Sequence, residues 1–160
     1  MNAASPDRHV EPSDALLLVV DDDPALRDML VRAFSPYMKV VAAADNQEAW
    51  ELLPKIARPA VLLLDVMTPR LDGWTLARRV KNDPKYHGIP IVFLTARGSA
   101  ADVAAGIAAG ARGLVTKPFK LASLIEKVGK LAGVAVPAAP HEQPVRRPSM
   151  VPERPRTNRN

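Results

Sequence analysis

Four places in the sequence carry residues able to do chemistry, and each follows directly on an apolar run. Asp21, Asp22 and Asp23 follow LLLVV, Asp65 follows VLLL, Thr95 follows IVFL, and Lys117 follows GLVT. Asp23, just before Pro24, suits the capping of a helix. Capping needs one carboxylate, so Asp21 and Asp22 remain for another role. An ionised carboxylate emerging from VLLL loses hydration unless something compensates for it, which singles out Asp65. If the first and third runs are neighbouring strands, their axes lie about 4.8 Å apart and the carboxylates share one small site. Like charges that close raise one another's pKa, and a divalent cation removes the conflict. An all-oxygen donor set selects a hard ion, and an open site that keeps some waters suits Mg²⁺ better than a closed calcium cage. Lys117 would stand two strand spacings from Asp65, roughly 10 Å, a gap that its four-carbon stem largely covers. Thr95, on the strand between, adds a hydroxyl. Such a site fits a small, multiply charged oxyanion. A phosphoryl group is the best match, because its transfer needs positioning and charge neutralisation more than covalent help.

These residues must be positioned by alternating elements. The apolar run 15–20 precedes Leu26, Met29, Leu30, Ala33 and Phe34 at helical spacing, and Ser35-Pro36 closes that helix. A second strand is predicted over 39–43, followed by a helix whose start carries a capping box, Asp45 with Glu48, and whose end is set by Pro54. The pattern repeats with a strand at 60–64 and a helix at 74–80, a strand at 89–94 and an alanine-rich helix at 101–108, then a strand at 113–116 and a helix bearing Leu121, Leu124, Ile125, Val128 and Leu131. Continuously apolar strands are buried on both faces, as in a parallel sheet covered by helices. Five β-α units of this kind predict a doubly wound α/β fold, with ligands bound beyond the carboxyl ends of the strands where their order reverses. The second strand ends without an evident chemical group.

The chain has 160 residues, 48% hydrophobic and 24% charged, which suits one packed domain. Apolar runs such as 60–64 fall far short of the roughly 18 residues of a membrane-spanning helix. The N-terminus has no basic segment followed by an apolar one, so a cytoplasmic protein is expected. The absence of cysteine excludes disulfide scaffolds, thiolate zinc sites and cysteine nucleophiles. The net charge of +5 is spread widely, so it names no partner. Six prolines in residues 137–160, with no aromatic side chain there, predict a disordered Pro/Arg-rich tail. Residues 1–14 are likewise expected to be disordered, which leaves 15–136 as the domain.

The motifs LVVDDDP, LLLDVMTPRLDGW, IVFLTA and TKPF, in this order and at these separations, resemble the CheY-like receiver domain of two-component response regulators. The resemblance covers essentially all of residues 15–136 and implies a flavodoxin-like sheet of order 2-1-3-4-5. It implies Asp65 as phosphoacceptor, receiving its group from a sensor histidine kinase or histidine phosphotransfer protein. It implies Asp21, Asp22, Asp65 and the backbone carbonyl of Met67 as Mg²⁺ ligands, Thr95 as the switch hydroxyl and Lys117 as the partner of the phosphoryl group. Pro118 matches a position where the family commonly has a cis peptide. Leu114 departs from the pattern, standing where many receivers have the aromatic half of the switch. Thr68 replaces a frequent methionine, and Arg97 adds a charge two residues beyond Thr95.

Three other readings compete. A haloacid dehalogenase-like phosphatase also uses a strand-end aspartate, Mg²⁺, threonine and lysine, and Asp21 with Asp23 gives its D-x-D. Ala25 breaks that motif, and no late acidic pair follows. A degenerate, purely scaffolding receiver is disfavoured by the complete set of five site residues. A nucleic-acid regulator is disfavoured because residues after 136 contain no helix-turn-helix pattern and no stacking aromatics. The expectation is a phosphoaccepting signalling domain rather than an enzyme, whose output runs through protein contacts beside the fifth strand and last helix. No DNA-binding output and no membrane contact are expected. A monomer or weak phosphorylation-linked dimer is the expected state, with a fragment of a longer regulator as the alternative.

Overall fold

The computed structural model describes residues 12–140. Its elements alternate along the chain: β1 (Ser13–Val20), α1 (Pro24–Phe34), β2 (Met38–Ala43), α2 (Asn46–Leu52), β3 (Val61–Asp65), α3 (Gly73–Asn82), β4 (Ile91–Thr95), α4 (Ala100–Ala108), β5 (Gly113–Thr116) and α5 (Leu121–Ala132). All strand pairs are parallel, in the order β2-β1-β3-β4-β5, the doubly wound arrangement predicted.

The apolar strands are continuous because both faces of the sheet are covered. Leu18, Val20, Leu62, Leu64, Ile91 and Phe93 turn to one face, where they pack with Ala49 of α2 and Leu76 and Val80 of α3. The alternate residues Leu17, Val19, Leu63, Val92 and Leu94 turn to the other face, where Leu30 and Phe34 of α1 and Leu124 and Val128 of α5 enclose them. Register then decides the site. Val20 pairs with Leu64, so the next residues, Asp21 and Asp65, leave the sheet side by side at the point of reversed strand order. Thr95 pairs with Thr116, which brings Lys117 to the same edge.

Local differences from the sequence expectations have simple causes. β1 begins at Ser13 because the Ser13 N–H donates to Tyr37 O at 2.8 Å, so Ser13 and Asp14 belong to the sheet and not to the preceding segment. β4 begins at Ile91 rather than 89, since Pro90 has no N–H; its carbonyl still accepts from Leu62 N at 3.0 Å. Pro54 ends α2 as expected, in a 3₁₀ turn over Leu53–Lys55. Asp45 caps Glu48 N at 2.8 Å, but Glu48 Oε2 accepts from Ala44 N rather than closing the predicted box. A complete capping box occurs instead at Ser99 and Asp102, opening α4.

Gly133, in the left-handed region at φ 68°, ends α5 and turns the chain back along it. Ala139 N donates to Glu126 Oε2 at 2.8 Å, so the chain stays packed beyond residue 137, where the tail was expected to begin. The expected disorder of 1–11 and 141–160 falls outside the described residues. No helix among the described residues is long and apolar enough to cross a membrane.

Candidate functional site

The three consecutive aspartates divide their tasks. Asp23 is the N-cap of α1, its Oδ1 accepting from Ala25 N at 3.0 Å. Asp21 is fully buried, and both its carboxylate oxygens are occupied: Oδ1 by Asp23 N at 2.9 Å and Oδ2 by Lys117 Nζ at 2.8 Å. Its carbonyl accepts from Arg27 Nη1 at 2.8 Å, which ties α1 to the end of β1. Asp22 is exposed. The capping interpretation therefore holds for Asp23 alone.

Asp65 is buried at the end of β3, with Oδ1 accepting from Met67 N at 3.1 Å and Oδ2 from Lys117 Nζ at 3.3 Å. Asp21, Asp22 and Asp65 each offer an oxygen within 4.8 Å of the others. Burial is the largest influence on the Asp65 carboxyl and raises its pKa; the charge of Asp21 adds to this, against the opposing Met67 N–H and Lys117 ammonium. A site that crowds three carboxylates and disfavours the ionisation of one fits a hard dication, and the donor set is entirely oxygen. Burial also works against the Lys117 charge, but the hydrogen bond to Asp21 and the charges of Asp65 and Asp21 outweigh it and hold the ammonium above the usual lysine range.

Lys117 thus reaches the site, although it lies closer to Asp21 than to Asp65. Thr95 lies buried on the same edge, but its hydroxyl is closed on the following turn, donating to Arg97 O at 2.9 Å and accepting from Arg97 N at 3.1 Å. The Lys117–Pro118 peptide is cis, as the resemblance implied. Leu114 packs against the core on the same face of the sheet as Trp74, whose ring lies 4.4 Å from that of Phe93. An open cleft of about 300 Å³ lies at the ends of β3 and β4, lined by Met67, Trp74, Thr95 and Arg97 among others. Met67 is 74% exposed there.

Three residues near the site had no functional reading in the sequence. Asn46, the first residue of α2, is fully buried and hydrogen-bonded to the backbone of Asp65. Gly73 lies so close to the loop after β3 that a Cβ would fall 2.8 Å from Asp65 O and 3.0 Å from Val66 Cα. Arg70 adopts φ 71° and pairs with Asp45. The DGW run signalled a glycine, and the Asp45 cap lay beside Asn46, but neither signal carried a role for these residues.

A family profile, the response regulator receiver domain, matches residues 17–129. Response regulator MprA of Mycolicibacterium vanbaalenii is 41% identical over 117 residues, 72% of this chain and 49% of that protein. Response regulator Rre1 of a Synechocystis species is 39% identical over 106 residues, 64% of this chain and 45% of that protein. The chain therefore spans about half the length of these relatives. Among solved structures, the chemotaxis response regulator CheY4 of Vibrio cholerae superposes with a TM-score of 0.67 at 30% identity, covering 74% of this chain and 99% of that one. A putative response regulator from Chloroflexus aurantiacus gives 0.68 at 34% identity, over 76% and 99%. With the acidic pocket, the parallel sheet and this match over most of its length, the chain belongs to the family of response regulator receiver domains.

Proposed function

We propose that this receiver accepts a phosphoryl group on Asp65 from a phosphohistidine of a sensor histidine kinase or phosphotransfer protein, in a Mg²⁺-dependent reaction, and signals through protein contacts. Phosphorylation on aspartate is typical of the family. The observation that carries the reading is the environment of Asp65: it alone among the site carboxylates is shared by the Met67 N–H, the Lys117 ammonium and the cluster with Asp21 and Asp22.

In the transfer, an Asp65 carboxylate oxygen attacks phosphorus while the P–N bond to imidazole breaks, its electron pair remaining on the ring nitrogen. Lys117 neutralises negative charge on the phosphoryl oxygens; its ammonium already lies 3.3 Å from Asp65 Oδ2. Thr95 must leave its turn with Arg97 to reach the same oxygens. Asp21, Asp22, Asp65 and the Met67 carbonyl would hold Mg²⁺, which supplies further charge neutralisation when bound. The domain itself acts as an acceptor and not as a phosphatase turning over external monoesters.

Incubation with acetyl phosphate and MgCl₂, followed by intact-mass measurement, tests the reading. One added phosphoryl group is expected, absent in Asp65→Asn and prevented by EDTA. Labelling that persists in Asp65→Asn rejects the assignment, and sustained hydrolysis of phosphate monoesters favours a dehalogenase-type phosphatase.

A further inference from the structure

The loop from Asp65 to Leu71 is built from outside itself. Asn46 Nδ2 donates to Asp65 O at 3.0 Å and to Thr68 Oγ1 at 2.8 Å, with Leu71 O a further neighbour at 3.2 Å. Thr68 Oγ1 also accepts from Asn46 N at 3.0 Å and donates its proton to Leu71 O at 2.8 Å. The protons close without remainder: two from the amide nitrogen, one from the backbone of Asn46, one from the hydroxyl. The orientation of the amide follows, since reversing it would set Oδ1 against the carbonyls of Asp65 and Leu71. In this orientation Oδ1 is buried with no partner. A fully buried polar side chain that serves the loop while its own acceptor has no partner calls for an explanation.

A second tie lies one residue earlier. Arg70 sits at φ 71°, a conformation that side chains other than glycine rarely adopt. It is held by Asp45, which receives Arg70 Nη2 on both oxygens, at 3.0 and 2.8 Å, and Nε at 3.2 Å. The Asn46 contacts at Asp65 and Thr68 bracket Met67, whose N–H holds Asp65 Oδ1, and the Asp45–Arg70 pair holds the loop further on.

We propose that Asp45 and Asn46 form a clamp at the start of α2 that positions the acceptor loop, with Asn46 a positioning residue for Mg²⁺ binding at Asp65 and Met67. The proposal rests on the phosphoacceptor reading above. Groups that orient metal ligands typically change metal affinity about 10- to 100-fold when removed, and that range sets the expected effect.

The experiment is calorimetric titration of the full chain with MgCl₂ alone, followed by the rate of mass gain from acetyl phosphate at saturating Mg²⁺. Asn46→Ala is expected to bind Mg²⁺ at least about tenfold more weakly than the wild type. Thr68→Val, which keeps the side-chain shape and removes the hydroxyl, is expected to lose affinity in the same direction. Leu124→Ala, a destabilising change in the core on the opposite face of the sheet, is expected to keep wild-type affinity. A folded Asn46→Ala within twofold of the wild type overturns the proposal, as does an equal loss of affinity in Leu124→Ala. If Asn46→Ala does not fold, Thr68→Val decides: wild-type affinity there overturns the proposal. A wild-type chain that neither binds Mg²⁺ nor gains a phosphoryl group instead refutes the underlying reading, so the two failures are distinguishable.

Discussion

Replacing Lys117 by methionine gives the sharpest test of the site's electrostatics. The ammonium lies 2.8 Å from Asp21, which is fully buried, and 3.3 Å from Asp65, whose side chain is 8% exposed. At an effective dielectric constant of about 20, charges at these separations attract by about 6 and 5 kcal/mol. Desolvation offsets most of that gain, so the relevant quantity is the loss on removing one partner, about 3–5 kcal/mol for a buried pair. The lysine side chain is 23% exposed, which places the expectation near the lower end. For a domain of this size, about 3 kcal/mol lowers Tm by roughly 10 °C. Thermal and urea unfolding in Mg²⁺-free buffer near pH 7 measure it. Adding Asp21→Asn to Lys117→Met should recover part of the loss, because the fully buried charge is then gone while Asp23 N keeps its acceptor, and only Asp65 is left without its cation. Mg²⁺ at about 100 times its Kd should likewise return about 2.7 kcal/mol. The Lys117 pKa is raised in the folded state, so its contribution is complete below about pH 10.4 and is lost only as pH rises through the folded value. A loss under about 1 kcal/mol, the range of an exposed ion pair, refutes the reasoning, as does a double variant no more stable than the single one.

Asp65→Asn should unfold at a higher temperature than the wild type in EDTA, because burial raises the Asp65 pKa and its ionised form destabilises the fold. That difference should begin to shrink as pH falls through the raised folded value and be gone below about pH 3.9, and Mg²⁺ should narrow it by stabilising only the wild type. Gly73→Ala should cost about 1–3 kcal/mol in urea unfolding, since the new methyl group meets the backbone of Asp65 and Val66 rather than a side chain that can move. Asp45→Ala should cost about 1 kcal/mol through loss of the α2 cap. Burial opposes ionisation of Asp45, but the Glu48 N–H and Arg70 outweigh it and lower its pKa; its contribution is therefore present above about pH 3.9 and lost as pH falls through the folded value. The stability difference between Asp45→Ala and the wild type should shrink in that acid range.

The electrostatic arrangement bears directly on the proposed phosphorylation. Lys117 is bound more closely to Asp21 than to Asp65. Thr95 is satisfied by its own turn. On the proposed function, both groups have hydrogen bonds to give up before they can turn toward a phosphoryl group on Asp65. Leu114 packs against the core without a ring, while Trp74 provides the aromatic contact beside Phe93.

By itself the sequence determined the sheet, its strand-end chemistry and the family resemblance. Unbroken apolar runs dictate two covered faces, and a polar residue that ends such a run must emerge at the sheet edge. Asp21, Asp22, Asp65, Thr95 and Lys117 were legible for that reason, as was the capping role of Asp23 beside Pro24. Only the tertiary structure decided which aspartate is buried, where Lys117 rests and which way the Thr95 hydroxyl turns, because these depend on partners many residues distant in the chain. Asn46 is the clearest case: following the Asp45 cap, it reads as an ordinary first residue of a helix. Its role arises because folding brings β2, β1 and β3 side by side and places its amide against the carbonyl of Asp65. Local pattern specifies which face a residue occupies, whereas hydrogen-bond partners across strands are set by register and close packing, which no single segment encodes.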